Sequence, residues 1–241
     1  MSAEDGLEPQ ELDADREISE LFLTSAAPIE LRLANFPVFV RHRYLARFLG
    51  LYEIFKRIVE VKGSIVECGV FQAGSLMTWV KLTRILDPSN NRRHVYGFDT
   101  FTGFPEGSSA YSGHGHFATF GGMAEVRRAV DVFERNGSSG GLEPVTLIQG
   151  DARETIPEFV STHPHVVVAL LFLDFDLYEP TVAALRNFLP RMPRGGVIVF
   201  DEIDDARWPG ESQAVFEEIG FRNLRLQRIP FDANVGFAVL D

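Results

Sequence analysis

The sequence predicts an α/β fold: one doubly wound, mainly parallel sheet of seven strands, with helices on both faces. Three observations predict it. Apolar runs of strand length alternate with segments of helical period. The first five runs are almost continuously hydrophobic, as strands covered on both faces are. The last two runs follow one another without a helix between them, which calls for a C-terminal hairpin and one antiparallel strand.

Taken in order, residues 1 to about 16 are acidic and turn-prone and read as a disordered tail or a weak first helix. From Pro37 to Lys62, apolar residues recur at helical spacing (Leu45, Phe48, Leu49, Tyr52, Ile54, Phe55, Ile58, Val59) and cover more than half of the circumference. Such a helix packs on a sheet or on another subunit, so self-association into a homo-oligomer is expected. Residues 1–62 form this tail and helical extension, and 63–241 the main domain. There SIVECGV is the first strand, Ser75 to Leu86 a helix stopped by Asp87-Pro88, and HVYGFD the second strand. The Gly-, Ser- and aromatic-rich stretch after it is too long for a plain connector, and residues 106–122 read as a mobile lid. Helices at Ala124–Arg135, Glu154–Ser161, Leu177–Leu189 and Glu211–Ile219 alternate with strands VTLIQG, VVVALLFLD and GGVIVFD, and NLRLQRI and VGFAVL close the chain.

Composition narrows the function. A chain of 241 residues, 45% hydrophobic and 24% charged, with mean hydropathy near zero, is that of an ordinary globular protein. No apolar segment reaches membrane-spanning length and no signal pattern opens the chain, so a cytoplasmic protein without membrane contact is expected. A single cysteine, Cys68, excludes a disulfide framework and a cysteine metal cluster. The net charge of −11 argues against nucleic acid as a partner. An anionic ligand would need local arginines, such as Arg92-Arg93, Arg127-Arg128 or Arg207.

In a doubly wound sheet, ligands bind outside the carboxyl ends of the strands. The first strand ends in Glu67-Cys68-Gly69, followed by Gly74 and Ser75 at a helix start. This glycine loop lacks the middle glycine of a dinucleotide fingerprint and the Lys-Ser/Thr of a phosphate loop. Its acid disfavours a pyrophosphate and suits a cationic ligand. Asp99-Thr100 ends the second strand, where an acid accepts from ribose hydroxyls, and Asp151-Ala152 follows the third, where an aspartate alone reads as a helix cap and beside the other acids as an acceptor for an adenine amino group. Together these acids favour S-adenosylmethionine over NAD. The fourth strand ends in Asp174 and the fifth in Asp201-Glu202. Neighbouring strands lie about 5 Å apart, so these three carboxylates are expected to converge. Carboxylates that close repel unless a cation or proton joins them, and oxygen-only ligation favours Mg²⁺, with Ca²⁺ or Mn²⁺ as alternatives. Asp176-x-x-Glu179 has capping-box spacing, which assigns Asp176 mainly to the start of the next helix.

At this point the chain resembles the macrocin O-methyltransferase (TylF-type) family of metal-dependent sugar O-methyltransferases, from about Ser64 to Asp205. The residues that carry the likeness are Glu67 to Ser75, Asp99-Thr100-Phe101-Thr102-Gly103-Phe104-Pro105, Asp174-Phe175-Asp176-Leu177-Tyr178-Glu179-Pro180-Thr181, and Gly195-Gly196 through Asp201-Glu202. The resemblance implies a Rossmann-like class I methyltransferase and a small-molecule sugar substrate, a nucleotide-deoxysugar or glycoside of antibiotic biosynthesis. It also implies a donor site at Glu67, Gly69, Gly74, Ser75, Asp99, Thr100, Asp151, Ala152 and Asp174, with Mg²⁺ at Asp174, Asp201 and Glu202. Asp174 is the implied general base; His114 and His116 in the lid are alternatives, because a metal-bound carboxylate is a weak base. Two departures stand out: Pro180 replaces the family's Ser, and Glu202 stands where many members carry Asp. A metal-independent O-methyltransferase, a nicotinamide oxidoreductase and a silent scaffold are the competing readings.

Overall fold

The computed structural model describes residues 9–105, 117–136 and 145–241. The expected alternation is present. Strands β1 (Ser64–Cys68), β2 (Val95–Asp99), β3 (Val145–Gln149), β4 (Val168–Leu173), β5 (Val197–Phe200), β6 (Gln227–Ile229) and β7 (Asp232–Val239) form one sheet in the order β3-β2-β1-β4-β5-β7-β6. The order reverses direction at β1, so the switch point lies between β1 and β4. The antiparallel strand is β7, and it lies inside the edge: it pairs with β5 on one side and with β6 on the other. The hairpin inserts its second strand beside β5 and leaves the three-residue β6 outside, a short edge strand offering little unpaired backbone.

Among the described residues eight helices accompany the sheet: α1 (Pro9–Thr24), α2 (Ile29–Ala34), α3 (His42–Ile58), α4 (Gly74–Leu86), α5 (Gly122–Asn136), α6 (Ala152–Thr162), α7 (Tyr178–Phe188) and α8 (Pro209–Glu218). The acidic N-terminal stretch thus enters α1, and the long apolar segment yields a short 3₁₀ turn (Phe36–Val38) before α3. Period-two alternation divides the strands between two cores. Ile65, Leu170, Phe172, Val197 and Val199 face Leu51, Ile54, Phe55 and Ile58 of α3 and Leu76, Trp79 and Val80 of α4. Val66, Cys68, Leu171, Leu173 and Phe200 face Phe159 of α6, Leu185 and Phe188 of α7, and Val215 of α8.

The helical extension is part of the first core. Its C-terminal end is also tied down by the fully buried Arg93, which donates to the carbonyls of Ile58, Val59, Val61 and Gly63 and ion-pairs with Asp87 at 2.9 Å. Those orphan carbonyls explain Arg93, which is therefore no anion-binding residue.

Register then sets the site. Cys68 pairs with Leu173 and Leu173 with Phe200, so β1, β4 and β5 end in step. The ladder runs one residue further, Asp174 N–H donating to Cys68 O (2.8 Å) and Asp201 N–H to Leu173 O (3.1 Å). Gly69 has φ +97°, and a Cβ there would fall 1.9 Å from the Asp174 carbonyl oxygen. Glycine is needed at this place because two strand ends touch, whatever ligand lies above them.

Candidate active site

A cavity of about 850 Å³ opens over the carboxyl ends of the strands. Gly69, Asp99, Thr100, Asp151, Ala152, Asp174, Asp201 and Glu202 line it. Glu67, Gly74 and Ser75 do not. Glu67 sits one residue before the strand end, on the face shared with Phe172, so its side chain points into the α3–α4 layer and is wholly buried. There it accepts from Ser75 Oγ at 2.9 Å, and burial, partly offset by Ser75 and Trp79, raises its pKa to about 8. Gly74 opens α4. Glu67 and Ser75 thus support the loop from within the α3–α4 layer, whereas Gly74 is exposed. His114 and His116 lie outside the described residues, as does most of the expected lid.

On the β1–β3 side the acids already have partners. Asp99 Oδ2 accepts from Val70 N–H (2.7 Å) and Phe71 N–H (2.8 Å), and Oδ1 accepts from Phe101 N–H (2.6 Å). The carboxylate thereby shapes the loop after β1, which includes Phe71 and Ala73 at positive φ. Asp151 caps α6 through Arg153 N–H (2.9 Å) and holds the Arg153 guanidinium. That hydrogen bonding lowers the Asp151 pKa against a smaller opposing effect of burial.

On the β4–β5 side the balance reverses. Ligand oxygens of Asp174, Asp176 and Glu202 lie within 4.8 Å of one another. Asp176 is therefore a member of the cluster and not the cap of α7: the N-cap is Leu177, with no side-chain cap bond, and Asp176 adopts φ +60°. This left-handed residue turns its side chain back to the strand ends and defeats the capping-box reading. Asp201 adjoins the trio but is ion-paired with Arg47, from α3, which also lies 3.7 Å from Asp174 Oδ2. Beneath them the fully buried Glu211 accepts from Glu202 N–H at 3.1 Å. Burial first, then the charge of Asp201, pushes Asp174, Glu202 and Glu211 well above the usual carboxylate range and Asp176 to about 7. For Arg47, burial works against the charge but Asp201 and Asp174 outweigh it, raising its pKa. A buried oxygen of Glu202 (Oε2) has no hydrogen-bond partner.

Another part of the wall is aromatic. Phe104, Phe117 and Trp208 pack with ring centroids 5.5–6.0 Å apart, and Phe71 meets Phe117 at 5.8 Å. Thr119 Oγ1 donates to Phe71 O (2.9 Å) and ties this segment to the glycine loop. Arg207 lines the cavity and is held by Asp205 (Nε–Oδ1, 3.0 Å), whereas Arg127 and Arg128 are not on its wall. Arg47, Glu211 and Trp208 were not singled out from sequence. Arg47 lies on the helical extension, and the other two lie in or beside α8; no local pattern marks them.

A family model described as macrocin-O-methyltransferase (TylF) matches residues 45–229. The chain belongs to this family. A crystal structure of CalS11, a calicheamicin methyltransferase, superposes with a TM-score of 0.91 at 31% identity, covering 97% of this chain and 93% of that one. Among curated relatives, a demethyldecarbamoylnovobiocin O-methyltransferase of Streptomyces niveus is 30% identical over 145 residues, 59% of this chain. An 8-demethyl-8-(2,3-dimethoxy-alpha-L-rhamnosyl)-tetracenomycin-C 4'-O-methyltransferase of Streptomyces olivaceus is 32% identical over 149 residues, 59% of this chain. The matched region spans 53% of each of these two relatives. The fold is that of the macrocin-type methyltransferases, as the resemblance implied.

Proposed function

We propose that the chain is an O-methyltransferase that moves the methyl group of S-adenosylmethionine to a hydroxyl of a sugar, a nucleotide-deoxysugar or a glycoside of antibiotic assembly. The observation that carries this reading is the pairing, across one cavity, of a carboxylate cluster with an aromatic wall. A deoxysugar presents an apolar face and polar hydroxyls, and the two walls match these two sides. Membership of the TylF family and the sugar-directed names of the relatives support the same substrate class.

The donor fits the β1–β3 side, where Asp99 and Asp151 bear oxygens on the cavity wall toward a ribose and an adenine, and an acidic surface suits a sulfonium. A divalent cation fits the β4–β5 side: Asp174, Asp176 and Glu202 converge, Asp201 adjoins them, and the unpartnered Glu202 oxygen awaits a positive neighbour. Mg²⁺ bound there would supply Lewis acidity to the acceptor hydroxyl. In the transfer the acceptor oxygen bonds to the methyl carbon, the carbon–sulfur bond breaks, and sulfur leaves as a neutral thioether. The hydroxyl proton passes to a carboxylate at the end of β4, Asp174 or Asp176, a step of general-base type worth about 10²–10⁴-fold. Trp208, Phe104 and Phe117 exclude water and hold the sugar against the carboxylates; alignment of this kind contributes roughly 7–11 kcal/mol at its best.

The test is methyl transfer to a panel of nucleotide-6-deoxysugars and rhamnosylated glycosides, with and without EDTA, alongside titrations with S-adenosylhomocysteine and NAD. Transfer that stops in EDTA and returns with Mg²⁺ is expected. Full activity in EDTA would remove the metal and leave the metal-independent reading; binding of NAD in place of S-adenosylhomocysteine would sink the proposal altogether.

A further inference from the structure

We propose that Arg47 is a tethered competitor of the divalent cation: its guanidinium occupies Asp174 and Asp201 in the metal-free protein and thereby sets how tightly the cation binds. This rests on the proposed reading that a cation sits among the carboxylates of β4 and β5. Residue 47 lies one helical turn before Leu51, which packs in the core, so the α3 face that grips the sheet also projects Arg47 toward the strand ends. The guanidinium stacks over the buried Phe172 ring at 5.4 Å, pairs with Asp201, and stands 3.7 Å from Asp174 Oδ2. Asp174 also belongs to the trio whose oxygens converge within 4.8 Å. One carboxylate is therefore shared between a fixed monovalent cation and the metal's ligand set. Two positive centres sharing a carboxylate repel strongly at interior distances. Arg47 is not among the residues on the cavity wall, so a substrate phosphate is not its natural partner. Among the described residues it is the cation found ion-paired with this cluster. Without it, the metal-free protein would hold Asp174, Asp176, Asp201, Glu202 and Glu211 together with no such counter-charge.

The experiment is calorimetric titration of the full chain with Mn²⁺, in the wild type and in Arg47→Met and Arg47→Lys, each folded state checked by circular dichroism. Arg47→Met is expected to bind Mn²⁺ at least about tenfold tighter, because the length and packing of the side chain are kept and the competing charge is lost. Arg47→Lys retains a charge but loses the planar fork, so a smaller tightening of about threefold is expected. Unchanged or weaker binding in Arg47→Met overturns the proposal. Should that variant not fold, Arg47→Lys decides by its direction: tighter supports competition, unchanged or weaker refutes it. A wild type that takes up S-adenosylhomocysteine but no Mn²⁺ brings down the metal reading itself, and the role of Arg47 with it.

Discussion

The two halves of the cavity floor are built from the same residue types and do opposite things with them. On the β1–β3 side the two acids on the cavity wall are matched by the protein's own donors: Asp99 by three backbone N–H groups, Asp151 by Arg153. On the β4–β5 side five carboxylates gather, two of them on one guanidinium, and buried oxygens of Glu202 and Glu211 are left without a hydrogen-bond partner. A satisfied acid shapes a loop; an unsatisfied cluster raises its own proton affinity and attracts a cation. Sequence position alone does not separate the two, since all of these acids except the helical Glu211 end a strand or follow one. The separation comes from what lies within hydrogen-bond reach.

The largest test of this contrast is Asp174→Asn. Methyl transfer is expected to fall by about 10²–10⁴-fold while S-adenosylhomocysteine affinity stays within a few-fold, measured by single-turnover assay and titration. Equal losses of donor binding and rate would erase the division between halves. Next comes Gly69→Ala, at the seam where β1 meets β4. A Cβ placed 1.9 Å from the Asp174 carbonyl at φ +97° is expected to cost on the order of 3 kcal/mol in urea unfolding and to disturb both halves together.

The metal-free protein supplies the third test, through pH. Asp176 near 7 and Glu67 near 8 lie above ordinary carboxylate values, so the folded chain keeps protons that the unfolded chain has lost. Stability present near pH 5 is therefore lost as pH rises through 7 and 8. Thermal melts should show this fall, and Mg²⁺ should offset more of it at pH 8 than at pH 5. Glu67→Gln should remove only the share of Glu67 and leave the response to Mg²⁺ in place. The smallest effects belong to the satisfied half. Asp99→Asn, which keeps only one good acceptor for three N–H groups, is expected to cost about 1–3 kcal/mol and to weaken donor binding. Asp151→Asn should cost less than about 1 kcal/mol, because asparagine caps a helix as well as aspartate and the Arg153 pair is largely solvated. A large loss in Asp151→Asn would mean that its oxygen serves the donor more than the helix.

The fold is legible because buried parallel strands write themselves as apolar runs, and the cavity-wall positions of Gly69, Asp99, Asp151, Asp174 and Glu202 are legible because strand ends can be read from those runs. Asp176 was misread because its spacing to Glu179 imitates a capping box, while the deciding feature is a backbone turn to φ +60° that aspartate tolerates without advertising it. Glu67 was placed one layer too high for a related reason: a one-residue offset along a strand exchanges the sheet edge for its face. Arg47 had no legible signal. It reaches the cluster from a helix that precedes the sheet, and only the packing of Leu51, Ile54 and Phe55 brings it there.

Arg93 gives this last point a practical side. By gathering the carbonyls at the end of α3 it fixes the helix at the foot of the sheet, and the same rigid rod carries Arg47 at the other end. The division at residue 62, natural in the sequence, falls just after that rod and parts it from the sheet on which it packs. A chimera that exchanged the first 62 residues between two relatives would swap the charge paired with Asp174 and Asp201 along with the N-terminal helices. For recombining these enzymes, the inheritable module begins at the start of α3.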